Sequence, residues 1–225
     1  GFSGKDWVYE NGVQDDVVEI MDLGFDPVRI VAAIPEARDL DNLLKGKVTI
    51  ATEYQTLSRL WVENKKIDGT IFRTWGTSEG FVQDTEDSIA QILIDNTSTG
   101  SSLRANRLKI VDTLMESSTR MYASKAAMAD KEKKQKIMEL KMLFETVLNA
   151  RGRVMLEMNC DKIHFDGLIK GIPAMKSPTV LPLASSGWSS LHTVVNEDVL
   201  WEKIELLKEI GAEGILVLSV EKMVL

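Results

Sequence analysis

Between Asp95 and Asn106 the sequence reads DNTSTGSSLRAN. Hydroxyl side chains gather around one glycine, with an apolar run before them and a helical pattern after. Thr99-Gly100 can turn the backbone so that successive N–H groups converge, because glycine adopts conformations closed to other residues. Ser98, Thr99, Ser101 and Ser102 add hydroxyl donors. If Leu103-Arg104-Ala105-Asn106 opens a helix, its free N–H groups and its dipole face the same point. Such a nest holds a phosphate dianion without needing lysine. Each charge-assisted hydrogen bond contributes about 1.5–3 kcal/mol, so a few of them hold a phosphate monoester firmly. Asp95, at the end of the preceding element, is suited to accept hydrogen bonds from hydroxyls beside that phosphate. A phosphate with neighbouring hydroxyls describes a phosphosugar. Composition alone leaves a second reading open, a serine-rich turn that caps a helix.

The elements that must position this stretch read as alternating strands and helices. Gly1 to Gly4 reads as a strand end or glycine turn, with Asp6-Trp7-Val8 opening a helix. VRIVAAI (Val28 to Ile34) is an apolar run closed by Pro35, and Val48 to Ala51 repeats the pattern. Leu57, Leu60 and Trp61 recur at helical spacing, and the Asp68-Gly69 turn leads into the strand TIFRTW. The spacing predicts a helix over DSIAQILI, with Ile89, Leu93 and Ile92 on its apolar side and acidic residues before it. A further strand is expected near Met121-Tyr122-Ala123. One uninterrupted helix is expected over Ala126 to Arg151, with Ile137, Leu140, Phe144, Val147 and Leu148 on one stripe. Its lysines, Lys131, Lys133, Lys134 and Lys136, read as a solvated face offset by Asp130 and Glu132. The alternation implies an α/β layer with a largely parallel sheet.

From Gly152 the grammar changes to strand, helix, strand, strand, helix, strand. RVMLEMNC, DKIHFDGLIKGI, SPTVLPLA, WSSLHTVV, the amphipathic NEDVLWEKIELLKEIG with its asparagine-capped start, and EGILVLSVEKM follow in order. This βαββαβ order is the ferredoxin-like motif, which places a domain boundary near Arg151. Trp201 is expected to pack on the C-terminal sheet, Cys160 to be an inert buried thiol, and His164 to sit at a helix end.

Bulk properties exclude several chemistries. The chain has 225 residues, 44% hydrophobic, enough for a buried core in one to three domains. A net charge of -7 argues against general nucleic-acid binding. The single cysteine leaves no material for a disulfide framework or a Cys-rich zinc site, and with only His164 and His192 a two-histidine metal centre is not expected. No apolar stretch reaches the roughly 18 residues of a membrane span. A cytoplasmic protein without membrane or nucleic-acid partners fits these properties.

The segments GFSGKDWVYENG, GKVTIATEY, WGTSEGFV, STGSSLRANRL, KSPTVLPLA and GAEGILVLSVEKM resemble, in order and spacing, those of the long-form ATP phosphoribosyltransferases, which open histidine biosynthesis. The resemblance covers nearly the whole chain. It implies a two-lobed, periplasmic-binding-protein-like α/β catalytic part with mixed or parallel sheets, followed by an ACT-like ferredoxin domain. Residues 1–27 and 107–150 would belong to a first catalytic domain, 28–106 to a second, and 151–225 to a regulatory domain that binds histidine as inhibitor. The implied reaction is Mg²⁺-dependent: ATP and phosphoribosyl pyrophosphate give phosphoribosyl-ATP and pyrophosphate. Dimers and hexamers are implied as well, and so is a further N-terminal segment before the Gly-x-x-Gly turn.

Carried over residue by residue, Ser98, Thr99, Gly100, Ser101, Ser102 and Leu103 match the loop that holds the 5-phosphate, with Ser102 where threonine is usual. Asp95 matches the acid that binds the ribose hydroxyls, and Ile94 stands where many relatives carry a second acid. Glu79 matches the acid of the Gly-Ser-x-Glu segment, a substrate or metal role. Gln91 stands where an aspartate is common. Asn159, Thr179 and Gly214 fall where the effector site is expected; as plain residue types they also read as strand end, strand interior and turn. The resemblance does not fix which residues hold the metal. The rival to catalysis is a sensor with the same folds that binds a small molecule or amino acid without turning it over.

Overall fold

The apolar run Val28–Ile34 forms the buried end of a strand of 19 residues, β2 (Val17–Pro35), in which Ile30 to Ile34 are all 1% exposed or less. Burial on both faces explains why this run is continuous rather than alternating. β2 sits inside a six-stranded sheet in the computed structural model, which describes residues 1–85 and 87–225. The sheet also contains β1 (Phe2–Gly4), β3 (Val48–Thr52), β4 (Gly69–Arg73), β5 (Ile92–Thr97) and β6 (Leu108–Ser124), in the order β1-β6-β2-β5-β3-β4. β3 runs parallel to β4 and β5, while β1–β6, β2–β5 and β2–β6 are antiparallel. The sheet is therefore mixed, with its parallel half at the β3–β4–β5 end.

Each face of the sheet buries its own apolar layer. On one, Ile30, Ile50, Ile92 and Ile94 pack with Leu57 and Trp61 of α3 (Gln55–Lys65). On the other, Val31, Ala33, Ala51 and Leu93 pack with Val82 and Leu103. α1 (Lys5–Glu10) follows β1 directly, and α2 (Leu40–Leu43) and α4 (Ser101–Ala105) are single turns or little more. Glu10 of α1 accepts hydrogen bonds from Thr56 N–H and Leu57 N–H at 3.0 Å, so a carboxylate closes the N-terminus of α3.

Two compact units divide at Met138/Glu139. The second carries β7 (Arg153–Asp161), α7 (Phe165–Gly171), β8 (Thr179–Pro182), β9 (Trp188–Asn196), α8 (Glu197–Ile210) and β10 (Glu213–Ser219). All pairings are antiparallel, in the order β10-β7-β9-β8, the ferredoxin-like arrangement. Alternation along β7 sends Val154, Leu156, Met158 and Cys160 into a core shared with Leu168, Leu191, Leu200 and Leu207.

Five expectations need correction. DSIAQILI is no helix: Ile92, Leu93 and Ile94 are fully buried in β5 between β2 and β3. A short apolar run fits a helix or a central strand equally, and burial on both faces decides for the strand. The strand expected near Met121 extends over 17 residues. The expected helix Ala126–Arg151 breaks at Asp130 into α5 (Lys125–Ala129) and α6 (Lys131–Ala150), because Asp130 leaves helical backbone and its carboxylate accepts from Glu132 N–H and Lys133 N–H as a cap. Asn196 occupies the cap position of α8 without making a side-chain cap bond. Trp201 is 57% exposed rather than packed on the sheet. Among the described residues, no helix is long and apolar enough to cross a membrane.

Candidate functional site

β5 delivers Asp95 and ends at Thr97, where a compact turn follows. Thr97 Oγ1 accepts from Gly100 N–H at 2.9 Å. Gly100 has φ +73° and ψ +10°, left-handed backbone that favours glycine, and a β-carbon there would also lie 3.1 Å from Arg104 Nη1. α4 starts at the next residue, held by Arg104 N–H donating to Gly100 C=O at 3.0 Å and by Leu103, which is 2% exposed. Thr99 Oγ1 accepts from Ser101 N–H at 3.3 Å and donates to Ser101 Oγ at 3.0 Å. The N–H groups of Ser102 and Leu103 have no protein acceptor among the described residues. Ser98, Thr99, Ser101 and Ser102 are exposed. The turn therefore presents unpaired N–H groups and hydroxyls together, as a phosphate requires.

Arg104 adds charge. Its Nη1 donates to Thr99 C=O at 3.0 Å, which folds the guanidinium back beside the turn. A cleft of about 500 Å³ reaches the turn at Ser98 and is lined also by Asp22, Arg29, Glu116, Ser118 and Arg120.

Asp95 lies beside the turn in a negative field. Burial pushes its carboxyl up to about 6, the charges of Glu79 and Glu53 push the same way, and the Asn96 N–H that donates to Oδ1 at 2.7 Å opposes them. Glu79 stands on a 3₁₀ turn, Ser78–Phe81, entered through left-handed Gly76 and Thr77. Glu53, at the C-terminal end of β3, accepts from Gly76 N–H. Among the described residues no group of three His, Cys, Asp or Glu side chains is arranged to hold a metal ion.

A polar chain runs inward from this point. Tyr54 OH donates to Asp6 Oδ2 at 2.9 Å and accepts from Asn96 Nδ2 at 3.1 Å. Asp6 Oδ1 accepts from Ser117 Oγ at 2.6 Å. Tyr54 and Asp6 are 1% and 4% exposed, so each polar atom in the chain needs the next. Burial first, and then the Asp6 charge, hold the Tyr54 hydroxyl above its ordinary value.

The fold thus sets Glu79 near Asp95 and the phosphate-type turn, which are themselves close together in sequence. It does not bring Gln91 there: Gln91 Oε1 accepts from Thr49 N–H at 2.8 Å and its own N–H donates to Thr49 C=O, which extends the pairing of β5 with β3. Asp6, Glu53, Tyr54, Asn96 and Arg104 complete the site and were not singled out from sequence. A usable signal existed for two of them, since Glu53-Tyr54 follows a parallel strand at its carboxyl end, where α/β sheets collect ligands.

In the second unit, Asn159 and Gly214 are neighbours. Glu213 pairs with Asn159, and Gly214 sits in the irregularity that follows, at φ +56°, where a β-carbon would lie 3.3 Å from Asn159 Nδ2. Thr179, on the edge strand β8, pairs with His192 of β9. Two strand spacings of about 4.8 Å separate its strand from that of Asn159.

Comparison with known proteins adds the following. The family model described as ATP phosphoribosyltransferase matches residues 1–146, and the model of the HisG C-terminal domain matches residues 150–222. The ATP phosphoribosyltransferase of Chlorobaculum parvum is 37% identical over 231 aligned positions, covering 100% of this chain and 76% of the relative. That of Pelodictyon phaeoclathratiforme is 38% identical with the same coverage. Among solved structures, the ATP phosphoribosyl transferase (HisG:HisZ) complex from Thermotoga maritima aligns with a TM-score of 0.52 and 23% identity, over 62% of this chain and 70% of that one, a likeness of fold.

Proposed function

Because this chain belongs to the ATP phosphoribosyltransferase family, we propose that the turn Ser98–Leu103 holds the 5-phosphate of phosphoribosyl pyrophosphate and that Asp95 holds its ribose, for transfer of the phosphoribosyl group to ATP. The observation that carries this reading is the left-handed Gly100, pinned by Thr97 Oγ1, with unpaired Ser102 and Leu103 N–H groups behind it. Arg104 beside the turn supplies a positive charge for the same anion.

In the reaction, an adenine ring nitrogen donates its lone pair to the ribose anomeric carbon while the carbon–oxygen bond to pyrophosphate breaks. Pyrophosphate leaves with that electron pair. The nitrogen lone pair needs no proton removed, so no general base is assigned. Positive charge develops on the ribose, and the ionised Asp95, with Glu79 and Glu53 around it, favours that charge. The turn fixes the phosphate end and Asp95 the hydroxyls, so the anomeric carbon is held for attack. Mg²⁺ belongs to this scheme as the partner of the diphosphate substrate; the described residues offer no three-ligand set of their own. Relatives that are enzymes match along the whole chain, which favours catalysis over the sensor reading.

In the second unit, Asn159 and Gly214 are the residues we assign to histidine as inhibitor, with residues 151–225 as the regulatory domain. Thr179, two strands along the same sheet from Asn159, belongs to the same assignment. A homo-oligomer is part of the same reading.

Calorimetric titration with the magnesium complex of phosphoribosyl pyrophosphate tests the site. Saturable binding is expected in the native chain and none in Gly100→Val, whose side chain a φ of +73° does not accommodate. Equal affinity in the variant would remove the loop assignment.

A further inference from the structure

Asn96 is exposed at the end of β5, next to Asp95, and the polar chain beneath it determines which way its amide faces. Tyr54 OH has one hydrogen to give. The nearest acceptor is Asp6 Oδ2 at 2.9 Å, a buried carboxylate oxygen that needs it. The hydroxyl can therefore only accept from Asn96, 3.1 Å away, and the atom that meets it must be the NH₂ group. The same Nδ2 lies 3.5 Å from Asp95 Oδ1, a second acceptor that likewise requires a donor. An amide flipped by half a turn would set its carbonyl oxygen against both a tyrosine oxygen without a hydrogen to offer and a carboxylate. The orientation of Asn96 is thus fixed by its neighbours.

The consequence lies on the other side of the amide. Asn96 Oδ1 has no protein donor among the described residues, and neither has Asp95 Oδ2, because the bonds to Asp95 end on Oδ1. Two adjacent residues at the mouth of the turn thus each present one free acceptor oxygen. Neighbouring ring hydroxyls are two donors side by side. We infer that Asn96 is a second recognition residue for the ribose of the substrate, accepting from one hydroxyl of the vicinal diol while Asp95 accepts from the other, and that Tyr54 is the positioning residue that keeps its carbonyl turned outward. This rests on the placement of the 5-phosphate in the turn, and the test is arranged so that the two can fail separately.

The probes are inorganic phosphate, ribose 5-phosphate, and its 2-deoxy and 3-deoxy analogues, titrated calorimetrically into the full chain. Binding of inorganic phosphate reports on the turn alone; its absence in the native chain would overturn the phosphate placement and this inference with it. Asn96→Ala should leave inorganic phosphate affinity unchanged and weaken ribose 5-phosphate about tenfold, the worth of one neutral hydrogen bond. One of the two deoxy sugars should be insensitive to the substitution, because the hydroxyl that Asn96 meets is already gone. Tyr54→Phe keeps the ring, which packs at 5.3 Å from that of Trp7, and should reproduce the Asn96→Ala pattern of sugar affinities, again with inorganic phosphate unchanged. A purely structural role for Tyr54 would shift all four ligands alike. Equal losses for ribose 5-phosphate and both deoxy sugars in Asn96→Ala, with phosphate still bound, would overturn the inference and leave the turn intact.

Discussion

Asp95→Asn is predicted to stabilise the first unit at neutral pH while removing its ribose binding. The native carboxyl titrates near 6 against an ordinary value of 3.8, raised by burial and then by Glu79 and Glu53. A carboxyl raised on folding favours the native state at low pH, and that contribution is lost as pH rises from about 4 through about 6. Above that window the native chain bears a charge worth about two pKa steps, at about 1.4 kcal/mol each. The upper limit is therefore about 3 kcal/mol. Asparagine keeps an oxygen for the Asn96 N–H but carries no charge, so it recovers most of this at pH 7.5 and nothing at pH 3.5. Urea unfolding followed by tryptophan fluorescence at those two values measures the difference directly. A variant that is no more stable than native at pH 7.5, or equally stabilised at both values, would refute the assigned cause. Affinity for phosphoribosyl pyrophosphate should fall at both.

Two further outcomes follow from the same geometry. Gly4→Ala places a β-carbon into Asp6 Oδ1, the acceptor of the Ser117 hydroxyl; displacing that buried carboxylate should cost about 1–3 kcal/mol in urea unfolding, and an unchanged midpoint would show that the Asp6–Ser117 bond contributes little. Gly214→Val combines a φ of +56° with a contact on Asn159; it should abolish calorimetric binding of histidine and leave affinity for phosphoribosyl pyrophosphate as in the native chain, whereas retained histidine binding would move the effector site elsewhere.

What could be read in advance depended on how local each feature is. Gly100, the hydroxyls around it and the buried Leu103 lie within six consecutive positions, and backbone preference alone implies their turn. The C-terminal order of strands and helices was legible for a similar reason, since alternation along Val154, Leu156, Met158 and Cys160 is a short-range signal. β5 was misread because Ile92, Leu93 and Ile94 are apolar on both sides, which removes the period on which the choice depends. The support around Asp95 was invisible: Asp6, Tyr54, Asn96 and Ser117 come from four segments, and only the register of β6 against β1 and β2 brings the outermost two together.

The pairing of β2 with β6 sets the order in which this unit can fold. Pro35 meets Leu108 and Val17 meets Ser124, so the ribbon closes over separations that grow from 73 residues (108 − 35) to 107 (124 − 17). Chain entropy resists such closures until something shortens the gap. β3, α3, β4 and β5 all lie inside the gap and make their parallel pairings there. Assembling that inner block brings Pro35 and Leu108 within reach, after which the ribbon can zip outward toward Val17 one pair at a time. The phosphate-type turn lies just inside the point where zipping begins, whereas the Ser117–Asp6 contact joins residues 111 apart in the chain. High sequence separation of this kind makes for slow folding, and it divides one site between a local anion cradle and a long-range polar chain that aims Asn96.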